Sequence, residues 1–281
     1  MLLLNGTPYA PDSPEFPLLN RSFRYGDGLF ETIRVFQGQP LFLKDHFARL
    51  QRGMDLLGLR YDPEAYPLQL RQHLRRAIEV NRIDHHGRLR LHVYRAGEGA
   101  YRPLSDEPHS LIEAYPLAED TYAQATGLSL GIFPDWELRP TPLSACKTAN
   151  ALPYVMAARY AREQGWDEAL LWGSEGLAEA SASNLFVVKH RQILTPPLSS
   201  GCLPGTMRQV VMRVAQEVRI PMKEKKLGRR DLKQADEVFL TNAIRGIQPV
   251  ERFEGRKQPW VAWPLTVFLQ NSLYQYVQKL M

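Results

Sequence analysis

The stretch LFETIRVFQGQPLFLKDHFARLQRGMDLLG, Leu29–Gly58, changes its hydrophobic period midway. Leu29–Leu43 reads as a hairpin turning at Gln37-Gly38. Asp45 then caps a helix with Phe47, Leu50, Met54 and Leu57 on one face, and Gly58 stops it. Upstream, Leu2–Leu4 reads as a short strand entering an Asn5-Gly6 hairpin turn. Downstream, a second helix is expected from about Pro63 to Asn81. Two strands follow, Arg88–Arg95 and Ser110–Leu117, joined by the loop AGEGAYRPLSDEPH. Strands and helices come in runs rather than as a βαβ series, which points to an α+β chain and away from a dinucleotide-binding sheet. AEDTYAQATG, Ala118–Gly127, is the candidate linker, so the expected organisation is a small domain over 1–117, a linker over 118–127 and a larger domain over 128–281. The larger part reads as short strands separated by Gly and Pro turns, with helices near 150–164, 205–218 and 263–279.

Composition narrows the class. The chain has 281 residues, 44% of them hydrophobic, enough for real cores. No run approaches the ~18 uncharged apolar residues of a membrane span, and MLLLNGTPYAPDSPE lacks the basic start and apolar core of a signal peptide. Two cysteines, Cys146 and Cys202, suit a reducing cytoplasm better than a disulfide framework. The seven histidines show no ligand spacing, so no metal is expected. Residues 141–281 hold 19 basic and 12 acidic side chains, against 16 and 18 before them. The densest patch, Lys223–Lys233, has no interleaved aromatic platform and reads as a solvated turn between a strand and a helix. No nucleic-acid or membrane partner is expected; a basic half suits an anionic small molecule.

The chain carries its positive charge on 26 arginines and only 9 lysines, and before position 189 the lysines are Lys44 and Lys147 alone. Lys147 sits in SACKTANALPYVMAAR, just before an apolar helix. Lysine offers a primary amine that can lose its proton and attack a carbonyl, which arginine cannot; read alone, Lys147 is more simply a surface lysine beside a helix start. Glu179 lies among small residues in AEASASN, with room beside it for something planar; read alone it is an edge-strand carboxylate. Pro204-Gly205-Thr206 opens a helix whose N–H groups and positive dipole end favour an anion. Thr241-Asn242-Ala243 ends a strand in a small-residue loop that could approach a phosphate, and Arg49, beside an apolar helix face, needs a bidentate anionic partner. Singly these are ordinary caps, turns or ion pairs. Together they supply the amine, carboxylate, arginine and helix start that pyridoxal phosphate requires.

At this point the chain resembles the fold-type IV pyridoxal phosphate enzymes: branched-chain aminotransferases, D-amino acid aminotransferases and 4-amino-4-deoxychorismate lyases. The resemblance runs in order along the chain: YGDGLFETIRVFQGQPLFLKDHFARL, KTAN, DEALL, EGLAEASASNLFVV, GCLPGTMRQ and NAIRGIQPV. It implies a small N-terminal α/β sandwich, a larger barrel-like domain carrying the cofactor lysine, and a homodimer. Phe16–Phe30 and Trp136–Ala145 are the aromatic- and Arg-rich stretches suited to that dimer interface. Position by position, Lys147 resembles the lysine that bonds the cofactor and Glu179, in its E-x-S-x-S-N setting with Ser183 and Asn184, the acid at the ring nitrogen. Arg49, Thr206 and Met207, and Asn242 and Ala243 resemble the phosphate contacts. Tyr25, Glu31, Arg95, Tyr101 and Arg245 are the candidate substrate contacts.

Within the family, position 152 is Leu where branched-chain aminotransferases usually carry Tyr, and YRAGEGAYRP lacks the Arg-x-His pair of the D-amino acid enzymes. That loop is similar to the lyase pattern R-G-x-G-x-x-G-Y, with Arg95 and Tyr101 matching, although it is shorter and lacks the arginine before Gly-Tyr. The resemblance therefore implies a lyase giving p-aminobenzoate and pyruvate, a step of folate biosynthesis. The alternatives are an aminotransferase for branched-chain or D-amino acids with 2-oxoglutarate, or a degenerate cofactor-binding regulator, against which the joint presence of Lys147, Glu179 and Arg49 argues.

Overall fold

The computed structural model describes residues 1–10, 12, 20–118, 120, 122, 127–257 and 263–281. The chain divides into two compact units: Met1–Asp120 with Cys146–Asn150, and Thr121–Ala145 with Ala151–Met281. The segment bearing Lys147 thus groups with the first unit, whereas the sequence placed it in the C-terminal domain. Much of the expected linker, residues 119, 121 and 123–126, lies outside the described residues, as does the 16–19 part of the expected interface stretch.

The first unit is a sheet with its two long helices packed on one face. Its strands are β1 (Leu2–Leu4), β2 (Thr7–Tyr9), β3 (Gly28–Phe36), β4 (Gln39–Pro40), β5 (His86–Arg95) and β6 (Pro108–Pro116), in the order β2-β1-β6-β5-β3-β4 and antiparallel throughout. Both expected hairpin turns form with positive φ at their two turn residues, Asn5-Gly6 and Gln37-Gly38, matching the twist of the flanking strands. The helices are α1 (Arg21–Tyr25), α2 (Leu43–Leu56) and α3 (Ala65–Val80). Helix α2 starts before Asp45, because Phe42 takes a left-handed conformation and becomes the N-cap; Asp45 falls in the first turn. Alternate residues of the strands (Leu29, Ile33 and Val35; Leu89, Leu91 and Val93) pack against Phe47, Leu50 and Met54 of α2 and Leu70, Leu74 and Ala77 of α3.

The second unit is a barrel-like sheet flanked by helices. Its strands are β7 (Leu128–Leu138), β8 (Glu168–Gly173), β9 (Gly176–Ala180), β10 (Asn184–Lys189), β11 (Gln192–Thr195), β12 (Met222–Glu224), β13 (Glu237–Asn242), β14 (Gly246–Phe253) and β15 (Arg256–Lys257). The path runs β12-β11-β10-β13-β14-β7-β8-β9, and a pairing of β9 with β10 returns it on itself. Closure occurs at a single register point, Asn184 opposite Glu179, while Asn184 also pairs with Thr241 on β13. Leu130, Leu170, Leu185, Val187, Val238 and Leu240 fill one core of this unit. Helix α4 (Leu152–Glu163) packs Ala157 and Ala161 against Phe133, Ala169, Leu171 and Ala178. Helices α5 (Thr206–Glu217), α6 (Arg229–Lys233) and α7 (Pro264–Gln278) complete the unit. Residues 225–228 form the turn between β12 and α6, as expected for the basic patch. The two-domain α+β expectation, with a barrel-like larger domain, matches this architecture.

Candidate functional site

In the first unit, Lys147 is fixed through its backbone. Its carbonyl accepts the Phe30 N–H at 2.8 Å, the Ala149 N–H donates to Gly28 O at 2.9 Å, and the Asn150 side chain donates to Gly26 O at 3.2 Å. Leu29 and Thr148 form an isolated bridge, so this short segment pairs with the start of β3. Lys147 Nζ lies 4.6 Å from the Phe30 ring centroid, a cation–π distance that holds the ammonium over an apolar platform.

Arg49 finds the bidentate anion its position demands within the protein. Its Nε and Nη2 donate to the two oxygens of Glu31 at 2.8 and 2.5 Å, and His46 Nδ1 lies 2.6 Å from Glu31 Oε2. The reason is parity. Glu31 shares the inward face of β3 with Leu29 and Ile33 and is only 1% exposed, so an uncompensated carboxylate there would be costly. Burial works to raise the Glu31 carboxyl, but Arg49 and His46 outweigh it and hold it down at about 2. Glu31, expected as a substrate contact, instead lies on the inward face toward the helices and pairs with Arg49.

Arg95, also expected as a substrate contact, is engaged within the protein. It is 7% exposed, with Nε on Asp27 at 3.0 Å, Nη1 on Asp106 at 2.5 Å and Nη2 on Leu57 O at 2.5 Å. Arg21 bonds the same Asp27 and donates to Gly99 O and Ala100 O. The two guanidiniums therefore hold the 96–107 loop in shape. Tyr101, on that loop, is 90% exposed and stacks obliquely on Tyr25 with centroids 5.6 Å apart.

In the second unit the expected residues converge. Glu179 is buried and accepts hydrogen bonds from Tyr154 Oη at 2.8 Å, the Leu203 N–H at 3.0 Å and Asn184 Nδ2 at 3.0 Å. Accepting from three donors is the pattern of an ionised carboxylate. Burial first, and Glu179 next, push the Tyr154 hydroxyl well above its ordinary value; the same two causes push the Cys202 thiol up to about 11. Tyr154 thus stays a donor. Asn184 reaches Leu203 O with the same amide, at 2.9 Å. A Cβ at Gly205 would lie 1.9 Å from Asn184 Oδ1, so only glycine fits where the chain enters α5. Gly205 gives α5 no side-chain cap, and its first turn carries the buried Thr206 and Met207.

Ser183 and Asn242 form a second linked group. Asn242 Nδ2 donates to Ser183 Oγ at 3.0 Å, and Ser183 Oγ donates to Glu168 at 2.6 Å. Asn242 Oδ1 accepts from the N–H groups of Ile244 and Arg245, folding the β13–β14 turn onto its own side chain. Tyr122 Oη holds Ala243 O at 2.6 Å. Arg245 is exposed on that turn. Sequence reasoning missed Tyr154, Tyr122, His46 and Glu168. Tyr154 lies one turn into the helix after Lys147, and Glu168 stands in the quoted DEALL motif, where it read only as a strand residue.

These residues fit pyridoxal 5'-phosphate. A buried carboxylate suits a protonated ring nitrogen, a glycine-opened helix start suits a phosphate, and small residues flank the acid at Ala178, Ala180 and Ala182. Residues 28–253 match the family model for class IV amino-transferases. The chain is 27% identical to a D-alanine aminotransferase of Staphylococcus aureus, covering 99% of this chain and 98% of that one. It is similar in structure to the 4-amino-4-deoxychorismate lyase of Pseudomonas aeruginosa, with TM-score 0.82, 29% identity and 98% of each chain covered. It is likewise similar to a branched-chain aminotransferase of Thermoproteus uzoniensis solved with norvaline, with TM-score 0.85, 26% identity, and 98% and 93% of the two chains covered. The chain belongs to the class IV aminotransferase family of pyridoxal 5'-phosphate enzymes.

Proposed function

We propose that this enzyme is a lyase converting 4-amino-4-deoxychorismate to p-aminobenzoate and pyruvate. The observation that carries the proposal is the state of the 96–107 loop. Arg95, its matching arginine, is fully engaged by Asp27, Asp106 and Leu57 O, and no Arg-x-His pair stands on the loop. An aminotransferase must grip a carboxylate on the very carbon that bears the amine. The lyase substrate carries none there, so it needs no such clamp.

Lys147 Nζ is assigned the proton transfer at the amine-bearing carbon, and Glu179 the ring nitrogen of the cofactor. Thr206, Met207, Asn242 and Ala243 are assigned its phosphate, with Arg49 contributing what its pairing with Glu31 leaves. Ser183 and Asn184 brace these groups. Bound there, pyridoxal 5'-phosphate supplies an electron sink for the carbon that loses its proton. The bond from the neighbouring carbon to the enolpyruvyl oxygen then breaks, pyruvate departs and the ring becomes aromatic. All substrate atoms end in the two products, so no acceptor is consumed. Tyr25, Tyr101 and Arg245 are assigned the substrate's remaining polar groups. A cytoplasmic homodimer belongs to the same proposal, supported by two buried, unbridged cysteines and by the exposed Leu152, Val155 and Met156 on α4.

The second reading, an aminotransferase, is favoured by the end-to-end match to the D-alanine aminotransferase. The discriminating experiment is incubation with 4-amino-4-deoxychorismate without any keto-acid. Many turnovers to p-aminobenzoate are expected. Activity seen only with an amino acid plus 2-oxoglutarate, giving glutamate, would make the enzyme an aminotransferase.

A further inference from the structure

Glu168, the first residue of β8, is 4% exposed and lies on none of the segments assigned to the cofactor. Its Oε2 accepts the Ala182 N–H at 2.9 Å and Ser181 Oγ at 3.4 Å; its Oε1 accepts Ser183 Oγ at 2.6 Å. A hydroxyl has one proton. Because Ser183 gives its proton to Glu168, its lone pairs face Asn242 Nδ2, 3.0 Å away. That fixes the orientation of the Asn242 amide, whose Oδ1 is then turned to the Ile244 and Arg245 N–H groups. One buried carboxylate therefore stands at the head of a chain of hydrogen bonds running from the β9–β10 turn through Ser183 and Asn242 to the β13–β14 turn.

We propose that Glu168 is a positioning residue that shapes the Asn242-Ala243 turn through Ser183, and so sets the enzyme's affinity for the cofactor phosphate. The inference rests on the assignment of that turn to the phosphate. Glu168→Gln tests the direction of the relay while keeping the side chain's shape. The Ala182 N–H cannot reverse, so it keeps the glutamine oxygen, and the glutamine NH2 then faces Ser183 Oγ. Two donors meet on one hydroxyl, whose own proton loses its acceptor, and the bond to Asn242 weakens.

The experiment is a titration of the apoprotein with pyridoxal 5'-phosphate for wild type, Glu168→Gln, Asn242→Ala and the double variant, with melting temperatures recorded in parallel. Each single change is expected to weaken binding by about tenfold, and the double by about tenfold again rather than about a hundredfold, because both cut one chain. A merely structural role would lower the melting temperature but leave the two effects multiplicative; that result overturns the proposal. So does unchanged affinity in Glu168→Gln when Asn242→Ala binds weakly. Unchanged affinity in Asn242→Ala would instead remove the turn from the phosphate site, and the proposal with it. If Glu168→Gln does not fold, Ser183→Ala severs the same link and must give the same non-multiplicative pattern with Asn242→Ala.

Discussion

Both units bury carboxylates, and they satisfy them differently. In the first, Glu31 sits in a row of leucine and isoleucine and meets a guanidinium edge-on, with a histidine behind it. In the second, Glu168 and Glu179 receive hydroxyls, an amide and backbone N–H groups. The environments differ accordingly. Glu31 is held at about 2 by its cations against the pull of burial, whereas burial pushes Glu168 up, with hydrogen bonds from Ser183 and Ala182 and then the charge of Arg245 only partly opposing it. Charge met by charge is closed and structural. Charge held mainly through hydroxyl, amide and backbone donors is oriented yet still able to bind a cation, which is what the role proposed for Glu179 requires.

The largest expected effect separates chemistry from both clusters. Lys147→Ala removes the amine assigned the proton transfer, so turnover should fall by roughly 10^4-fold or more while the urea midpoint stays near wild type. Borohydride should couple cofactor to the wild-type chain and not to the variant; a retained adduct would point to another lysine.

Arg49→Ala strikes the charge-paired cluster. Breaking a buried pair from one side costs ~3–5 kcal/mol, so urea unfolding should show a large stability loss even without cofactor. A loss confined to cofactor binding would mean that Glu31 is not the main partner of Arg49.

The same cluster has a pH signature. The folded value of Glu31 lies below its unfolded value of 4.5. Its stabilisation is therefore complete above that value and is lost as pH falls toward about 2, amounting to about 3 kcal/mol at ~1.4 kcal/mol per unit. Glu31→Gln should flatten the acid side of the stability profile over this window. An unchanged slope would place the acid sensitivity elsewhere.

A smaller effect probes the second unit. Gly205→Ala drives a methyl into Asn184 Oδ1, and such overpacking costs ~1–3 kcal/mol. Because Asn184 holds Glu179, the variant should also slow turnover. Lost stability with unchanged turnover would show that Asn184 does not orient the acid.

How far the sequence went follows the range of the interactions. The hairpin at Gln37-Gly38, the α2 face of Phe47, Leu50 and Met54, and the turn within Lys223–Lys233 rest on neighbours a few residues apart, and all were legible. Lys147 stood out because it breaks an arginine-rich usage. Helix α1 spans one turn, too short for periodicity, although Asn20 caps it and Gly26 ends it in a left-handed conformation. What the sequence could not show were long-range partnerships. Arg95 matched a motif by spacing, but its role is decided by Asp27 and Asp106, and Glu31 became structural only because strand parity turns it inward. The closure of the barrel-like sheet at Glu179 and Asn184, and the reach of Glu168 to Asn242 through Ser183, join segments that no periodicity connects.

The difference between the two kinds of buried carboxylate can be measured directly with Glu179→Gln, by comparing urea midpoints with and without saturating pyridoxal 5'-phosphate. A ligand stabilises only the state it binds, so a carboxylate kept for a cationic partner should matter chiefly when that partner is present. The predicted result is a midpoint close to wild type in the apoprotein and a markedly smaller gain than wild type on adding cofactor, together with a turnover barrier higher by ~2–4 kcal/mol. Equal destabilisation with and without cofactor would contradict it and make Glu179 as structural as Glu31.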